Sequence, residues 1–113
     1  MGTGRLRRGE VWWVEFDPAV SSEIRKTRPG IIVSKNSANR NLSRVIVVPL
    51  TSNTERIYPG EELVSCSGTD SKAMADQIMT ADKVRLKSRI DELSKADMLA
   101  VEHALRVQLA LPK

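Results

Sequence analysis

The sequence predicts a mostly-β domain of the α+β class, closed by a C-terminal helix, and three observations carry that expectation. Short runs rich in β-branched and aromatic residues recur through the first two thirds of the chain, as strands require. Turns bearing proline and glycine separate them. Towards the C-terminus the apolar residues switch to a 3–4 spacing behind a capping signal, which is helical periodicity.

Taken in order, Val11 to Phe16 (Val-Trp-Trp-Val-Glu-Phe) is expected as the first strand. Asp17-Pro18 ends it, because proline offers no N–H and biases its predecessor away from the helix. A charged loop from Ala19 to Arg28 is expected next, and after Pro29-Gly30 the run Ile31-Ile32-Val33 reads as a buried strand. Asn36 to Asn41 is turn-rich, with room for a short helical turn. Val45 to Leu50 is the most strand-like run, four β-branched residues and then Pro49, which marks a bulge or a strand edge. Tyr58-Pro59-Gly60 makes a turn before a strand at Glu61 to Ser65. Ser71 to Thr80 is ambiguous because Ala and Met favour helix; a strand is expected there. Ser94 and Asp97 have capping-box spacing, and the helix Ala96 to Leu109 should face the core with Met98, Val101, Leu105 and Leu109.

At 113 residues the chain is expected to form one domain, residues 1–113, with residues 1–6 a flexible N-terminus. Its single cysteine, Cys66, excludes an intrachain disulfide and a thiolate metal cluster. No apolar run approaches the ~18 residues of a membrane span, and no apolar stretch follows the basic Met1 to Arg8, so a cytoplasmic protein is expected. The net charge of +4 is uneven. Residues 5–44 carry nine Lys and Arg against four Asp and Glu, while residues 45–113 carry nine against ten. Basic charge gathered in one segment suits a polyanion, and serves equally as a solvated face.

Exclusion narrows the chemistry. With one histidine, His103, no imidazole pair can share acid and base work; it lies two positions from Val101 and Leu105 and reads as a structural residue. There is no glycine-rich phosphate loop, no zinc-ligand spacing and no close carboxylate cluster, so neither metal nor cofactor is expected. What remains is arginine and hydroxyl chemistry. Arg28 precedes Pro29 where the basic loop meets a strand, and a guanidinium fork suits phosphate oxygens better than a lysine point charge. Thr51 and Ser52 follow Pro49-Leu50 at a strand end, where their hydroxyls could bind a phosphate oxygen or simply close a turn.

Five stretches in order then resemble the MazF/PemK family of toxin endoribonucleases: Arg8-Gly9-Glu10-Val11-Trp12, Asp17-Pro18, Thr27-Arg28-Pro29, Val47-Val48-Pro49-Leu50-Thr51-Ser52, and Asp76-Gln77 leading into Asp82-Lys83 and Arg85-Leu86. The resemblance covers about residues 7 to 110. It implies a strongly bent antiparallel sheet of the SH3-like, CcdB-like kind, a barrel with a C-terminal helix, assembled as a homodimer. It further implies a toxin of a type II toxin–antitoxin pair, blocked by a cognate antitoxin protein. Such toxins cut single-stranded RNA at short motifs without metal, leaving a 2′,3′-cyclic phosphate and a 5′-hydroxyl.

Carried over by position, Arg28 matches the arginine of the Arg-Pro motif and Thr51 the threonine that aligns the phosphate, with Ser52 beside it. Asp76 matches an acidic residue that serves as acid or base in the PemK branch. Ser22 and Met74 stand where that branch has histidine and arginine, which favours the MazF-type pairing of Arg28 with Thr51. RNA contacts are expected from Ser22, Glu23, Arg25 and Lys26 in the first loop, from Ser52 and Asn53 in the second, and from Gln77. Base selection would fall to Ser21 to Lys26 and Asn53 to Ile57. Trp12 and Trp13 could stack on bases, but a strand position favours core packing for both. Two rival readings stand beside the nuclease. One is an SH3-like module that binds RNA without cutting it; the other is a gyrase poison of the CcdB type.

Overall fold

The structure, a computed structural model, describes residues 5–16 and 26–112. The expected loop contacts of Ser22, Glu23 and Arg25 lie outside the described residues, and Lys26 is described by its backbone only. In chain order the elements are β1 (Glu10–Phe16), β2 (Lys26–Ile32), α1 (Asn36–Asn41), β3 (Arg44–Thr51), β4 (Glu61–Cys66), β5 (Thr69–Met74), β6 (Met79–Asp82), β7 (Leu86–Glu92) and α2 (Lys95–Leu109). Two 3-10 turns, Ala75–Gln77 and Lys83–Arg85, flank β6.

All pairings are antiparallel, and the strands run β4-β5-β3-β2-β1-β7, with β6 also on β3. β3 organises the molecule: its first half pairs with β6, its middle with β2 and its end with β5. The mostly-β fold with a C-terminal helix is as expected. The strand path does not close on itself, since β4 and β7 end it without pairing, so the sheet is bent and open and "barrel" is too strong a word.

Both faces are covered, which is why the strand sequences read as continuous apolar runs rather than as alternation. One face carries Val11, Ile31, Val48, Leu50, Val64 and Ala73, packed with Leu93 and with Val101 of α2. The other carries Leu6, Trp12, Val14, Ile32, Val45, Val47, Ala81 and Leu86. Leu6 is only 2% exposed, so the flexible stretch expected at residues 1–6 does not extend to it. Among the described residues, no helix is long and apolar enough to cross a membrane.

Four expectations change. β2 starts at Lys26 rather than at Ile31, because Lys26 and Thr27 align with Phe16 and Glu15 of β1 and the partner strand supplies the order that their own propensity does not. The segment 71–80 is not one strand: β5 ends at Met74, a 3-10 turn follows, and β6 pairs with the start of β3. β7 has no apolar pattern to announce it; it forms by adding to β1, with register shifts between Val11 and Trp12 and between Trp13 and Val14. On α2, Val101 is fully buried and Met98 and Leu105 are half-buried, but Leu109, the last residue of the helix, is 47% exposed.

The helix start is built as the sequence suggested, on one side only. Ser94 Oγ accepts the Asp97 N–H at 3.1 Å. Asp97 does not reach back; its Oδ2 accepts the Ser65 N–H at 2.9 Å and so ties α2 to β4. At the start of β1, the buried Glu10 makes a denser knot. Its Oε1 accepts from Arg7 N at 3.2 Å and from Trp12 Nε1 at 3.0 Å, and its Oε2 lies 3.2 Å from Arg89 Nε of β7.

Candidate nucleic-acid interface

At the opposite end of β1, β2 brings in Arg28. It is half-buried and sits across from Val14, and Pro29 keeps its backbone extended. The chain must be thin just beyond it: a Cβ on Gly30 would lie 3.0 Å from Val14 Cγ2. The Arg28 guanidinium makes no hydrogen bond or ion pair among the described residues.

In the β2–β3 ladder Ile32 faces Val47, Ile31 faces Val48 and Gly30 faces Pro49. Arg28 and Thr51 each lie two residues beyond that last pair, on neighbouring strands. The ladder itself stops at Pro49, which has no N–H to give, and the end of β3 turns to β5, pairing Leu50 with Ala73 and Thr51 with Lys72. By strand alternation the Arg28 side chain leaves β2 on the side of Gly30 and Ile32, whereas Thr51, past the turn of β3 to β5, lines a groove with Trp13 and Pro29.

Thr51 also opens the loop that follows. Its Oγ1 accepts the Asn53 N–H at 3.2 Å, and Asn53 Oδ1 accepts the Glu55 N–H at 3.3 Å. The hydroxyl turn foreseen as the bland alternative is therefore present, and it is compatible with phosphate binding. An oxygen that accepts from the backbone still holds its own proton to donate.

Lys72 was missed by sequence reasoning. It faces Thr51 across the ladder and is only 9% exposed. Its Nζ lies 3.0 Å from Glu61 Oε1, donates to Arg56 O at 2.8 Å and sits 5.5 Å from the centroid of the Tyr58 ring. The Tyr58 N–H donates to the same Glu61 oxygen at 2.9 Å. Burial pushes the Glu61 carboxyl up, but the Tyr58 N–H and Lys72 together outweigh it and hold the group below its ordinary value. Lys72 thus staples the loop after Thr51 onto the sheet. Only the β4–β5 pairing, which sets Lys72 near Glu61, could have signalled it.

The remaining expected residues divide. Ser52 and Asn53 are exposed beside Thr51. Ser52 lines a groove of about 310 Å3 together with Trp13, Pro29, Leu50, Thr51 and Ser71. Asp76 and Gln77 are exposed on the 3-10 turn after β5; Gln77 Nε2 donates to Met74 Sδ at 3.5 Å, and Asp76 has no bond to Arg28 or Thr51. The two tryptophans part company. Trp12 is 7% exposed, but Trp13 is 41% exposed above the groove, because neighbouring strand residues face opposite sides, and so the expected core packing holds for only one of them. His103 is exposed on α2 with Nδ1 2.8 Å from Glu62 Oε2, a surface pair away from the groove. Among the described residues, no three His, Cys, Asp or Glu side chains are grouped to hold a metal ion.

Comparison with known proteins adds relatives at each level. A family described as "PemK-like, MazF-like toxin of type II toxin-antitoxin system" matches residues 7–109. The chain is 38% identical to endoribonuclease MazF9 of Mycobacterium tuberculosis, over 94% of this chain and 98% of that protein. It is 32% identical to endoribonuclease MazF of Staphylococcus epidermidis, over 94% and 92%. Among solved structures, a mycobacterial endoribonuclease in complex with its cognate antitoxin superposes with a TM-score of 0.79 at 30% identity, over 96% of this chain and 98% of that one. MazF from Deinococcus radiodurans, at 22% identity, has the same fold with a TM-score of 0.77 over 93% and 96%. By the match that runs from Arg7 to Leu109, the chain belongs to the PemK-like, MazF-like toxins of type II toxin–antitoxin systems.

Proposed function

We propose that this chain is the toxin of such a pair, an endoribonuclease that cuts single-stranded RNA at a short motif and so stops translation and growth. It works in the cytoplasm as a homodimer and is silenced by a cognate antitoxin protein. What supports this reading is that Arg28 and Thr51 lie on neighbouring strands, each two residues beyond the Gly30–Pro49 pair.

In this reading the RNA's own 2′-hydroxyl attacks the adjacent phosphorus, and the protein positions the phosphate and stabilises its charge. No metal ion or cofactor takes part. Arg28 holds the pentavalent phosphorane, where preorganised charge is most effective, and the Thr51 hydroxyl donates a hydrogen bond to a non-bridging oxygen. Arg28 contributes charge, and proton transfer passes to water or to a carboxylate such as Asp76. Lys72 acts through Thr51 by fixing the loop behind it. Ser52, Asn53 and Gln77 contact the RNA, and the exposed Trp13 offers a stacking surface on the groove that Thr51 and Ser52 line.

The test is cleavage of end-labelled single-stranded RNA of varied sequence in excess EDTA. Parallel lanes carry Arg28→Ala and an RNA bearing a 2′-deoxy sugar at the cut. Discrete cuts that survive EDTA and vanish in both controls are expected. RNA bound but intact in every lane would make the protein a binding module instead.

A further inference from the structure

At the far end of the β1–β2–β3 sheet from Arg28, a second basic site stands apart from the groove. The segment Arg5-Leu6-Arg7 and the helix α1 enclose a cleft of about 230 Å3, lined by these three residues with Asn36 and Arg40. Arg5, Arg7 and Arg40 are exposed, and none makes an ion pair among the described residues. The carboxylates that could neutralise them are committed elsewhere. Glu10 takes the Arg7 backbone N–H and pairs with Arg89, while Glu102 pairs with the neighbouring Arg8 at 3.1 Å. Asn36 Oδ1 accepts the Arg8 N–H at 2.7 Å, which leaves the donor end of its amide uncommitted. Every uncommitted polar side-chain group of the cleft is therefore a hydrogen-bond donor, and three of the four are cations.

We propose that this cleft is a second phosphate site that takes the backbone of the same RNA outside the cut motif. The inference rests on the RNA-cutting function proposed above. Three features favour an RNA strand. Guanidinium forks match phosphate oxygens two at a time. Cations held against phosphate oxygens position a strand without reading its sequence, which suits RNA outside the cut motif. Finally, the cleft lies beyond the end of β2 that is remote from Arg28: the Gly9 N–H donates to Ile32 O at 2.8 Å and Arg8 Nε donates to Val33 O at 2.9 Å. Between Arg28 and Ile32 the strand covers ~13 Å at ~3.3 Å per residue, so an RNA must run a few nucleotides past Arg28 to meet the cleft. A short RNA confined to the motif does not reach the cleft.

The test compares binding of two non-cleavable RNAs, each with a 2′-deoxy sugar at the cut. One is no longer than the motif and the other extends well beyond it on both sides. The variant is Arg5→Gln/Arg7→Gln/Arg40→Gln, and a control with the same charge loss is Lys83→Gln/Lys95→Gln/Arg106→Gln. At about 0.15 M salt the cleft variant should bind the long RNA about tenfold more weakly, with a salt dependence shallower by about 2 for three lost single-strand phosphate contacts. Its affinity for the short RNA should change far less, and the control should keep the length effect. Equal loss on both lengths, equal loss in the control, or no loss would each overturn the proposal. So would a cleft that binds acidic peptides while leaving long-RNA affinity intact. Should the triple variant unfold, Arg40→Gln alone is read by the same length comparison. The function and the cleft fail separately: loss of cutting in every lane removes the nuclease, whereas a nuclease with no length effect removes only the cleft.

Discussion

The two ends of β1 are built to opposite specifications. At its start, Glu10 is buried with both carboxylate oxygens engaged, by the Arg7 and Trp12 N–H groups and by Arg89. At its other end, Arg28 sits across from Val14 with its guanidinium uncommitted among the described residues. The β1–β2 pair thus has a saturated polar knot at one end and, at the other, a cation on β2 that bonds none of the described residues. The difference separates stability from chemistry. A buried charge without partners is costly, so the knot must be complete. A half-buried cation facing solvent tolerates an empty place, and that place is where a ligand's charge can go.

Substitution at each end should show this split. Arg28→Ala should cost on the order of 10²–10³ in cleavage rate, with a thermal midpoint close to that of the parent; a variant that unfolds early would make Arg28 structural. Glu10→Ala should do the reverse. It strands two N–H donors and the Arg89 charge, and should remove about 3 kcal/mol of stability in denaturant melts, while any protein that remains folded still cuts. If Glu10→Ala melts like the parent, the knot is decorative. Thr51→Val keeps the shape and removes the donor, and a rate loss of about tenfold to a hundredfold is expected. Lys72→Met should lower activity by about tenfold through the loop, and rescue by Lys72→Arg would identify the cation as the staple. The smallest effect is on acidity. Glu61 and Asp91 both titrate below their ordinary values, Asp91 because the Ser67 and Glu92 N–H groups bond its carboxylate. A lowered carboxylate stabilises the fold above its unfolded pKa and loses that contribution as pH falls through the folded one. Stability should therefore be flat near neutrality and decline below about pH 4.5; Glu61→Gln should flatten part of that decline, and a decline beginning near neutrality would refute the assignment.

Much of this architecture was legible in the residues, and the failures are physical. β1, β3, β4 and α2 were found because their own sequences carry period or cap: Val45 to Val48 is β-branched throughout, and Ser94 caps as its spacing said. β7 was invisible, because Leu86 to Glu92 is polar and becomes a strand only when β1 offers it an edge. For the same reason β2 begins earlier than its apolar run. At the site, Arg28 and Thr51 were named from type and order along the chain, yet their placement on neighbouring strands depends on the β2–β3 pairing, which one strand cannot specify alone. Lys72 required two pairings, β3 with β5 and β5 with β4, before its place behind Thr51 could be seen. The parting of Trp12 from Trp13 followed from alternation, which the sequence did contain.

The sharing of β3 among β2, β5 and β6 has a consequence for synthesis. A nascent chain that has emerged only as far as Thr51 can close the β1–β2–β3 ladder, but the partner of Thr51 arrives with Lys72, and β1 lacks its second neighbour until Leu86 to Glu92 follow. The apolar face under α2 stays open until Val101 is in place. Because chains emerge N-terminus first, the cutting machinery cannot assemble on a half-made protein. A ribosome making this toxin is therefore shielded from its product until nearly the whole of the described chain has left the exit tunnel.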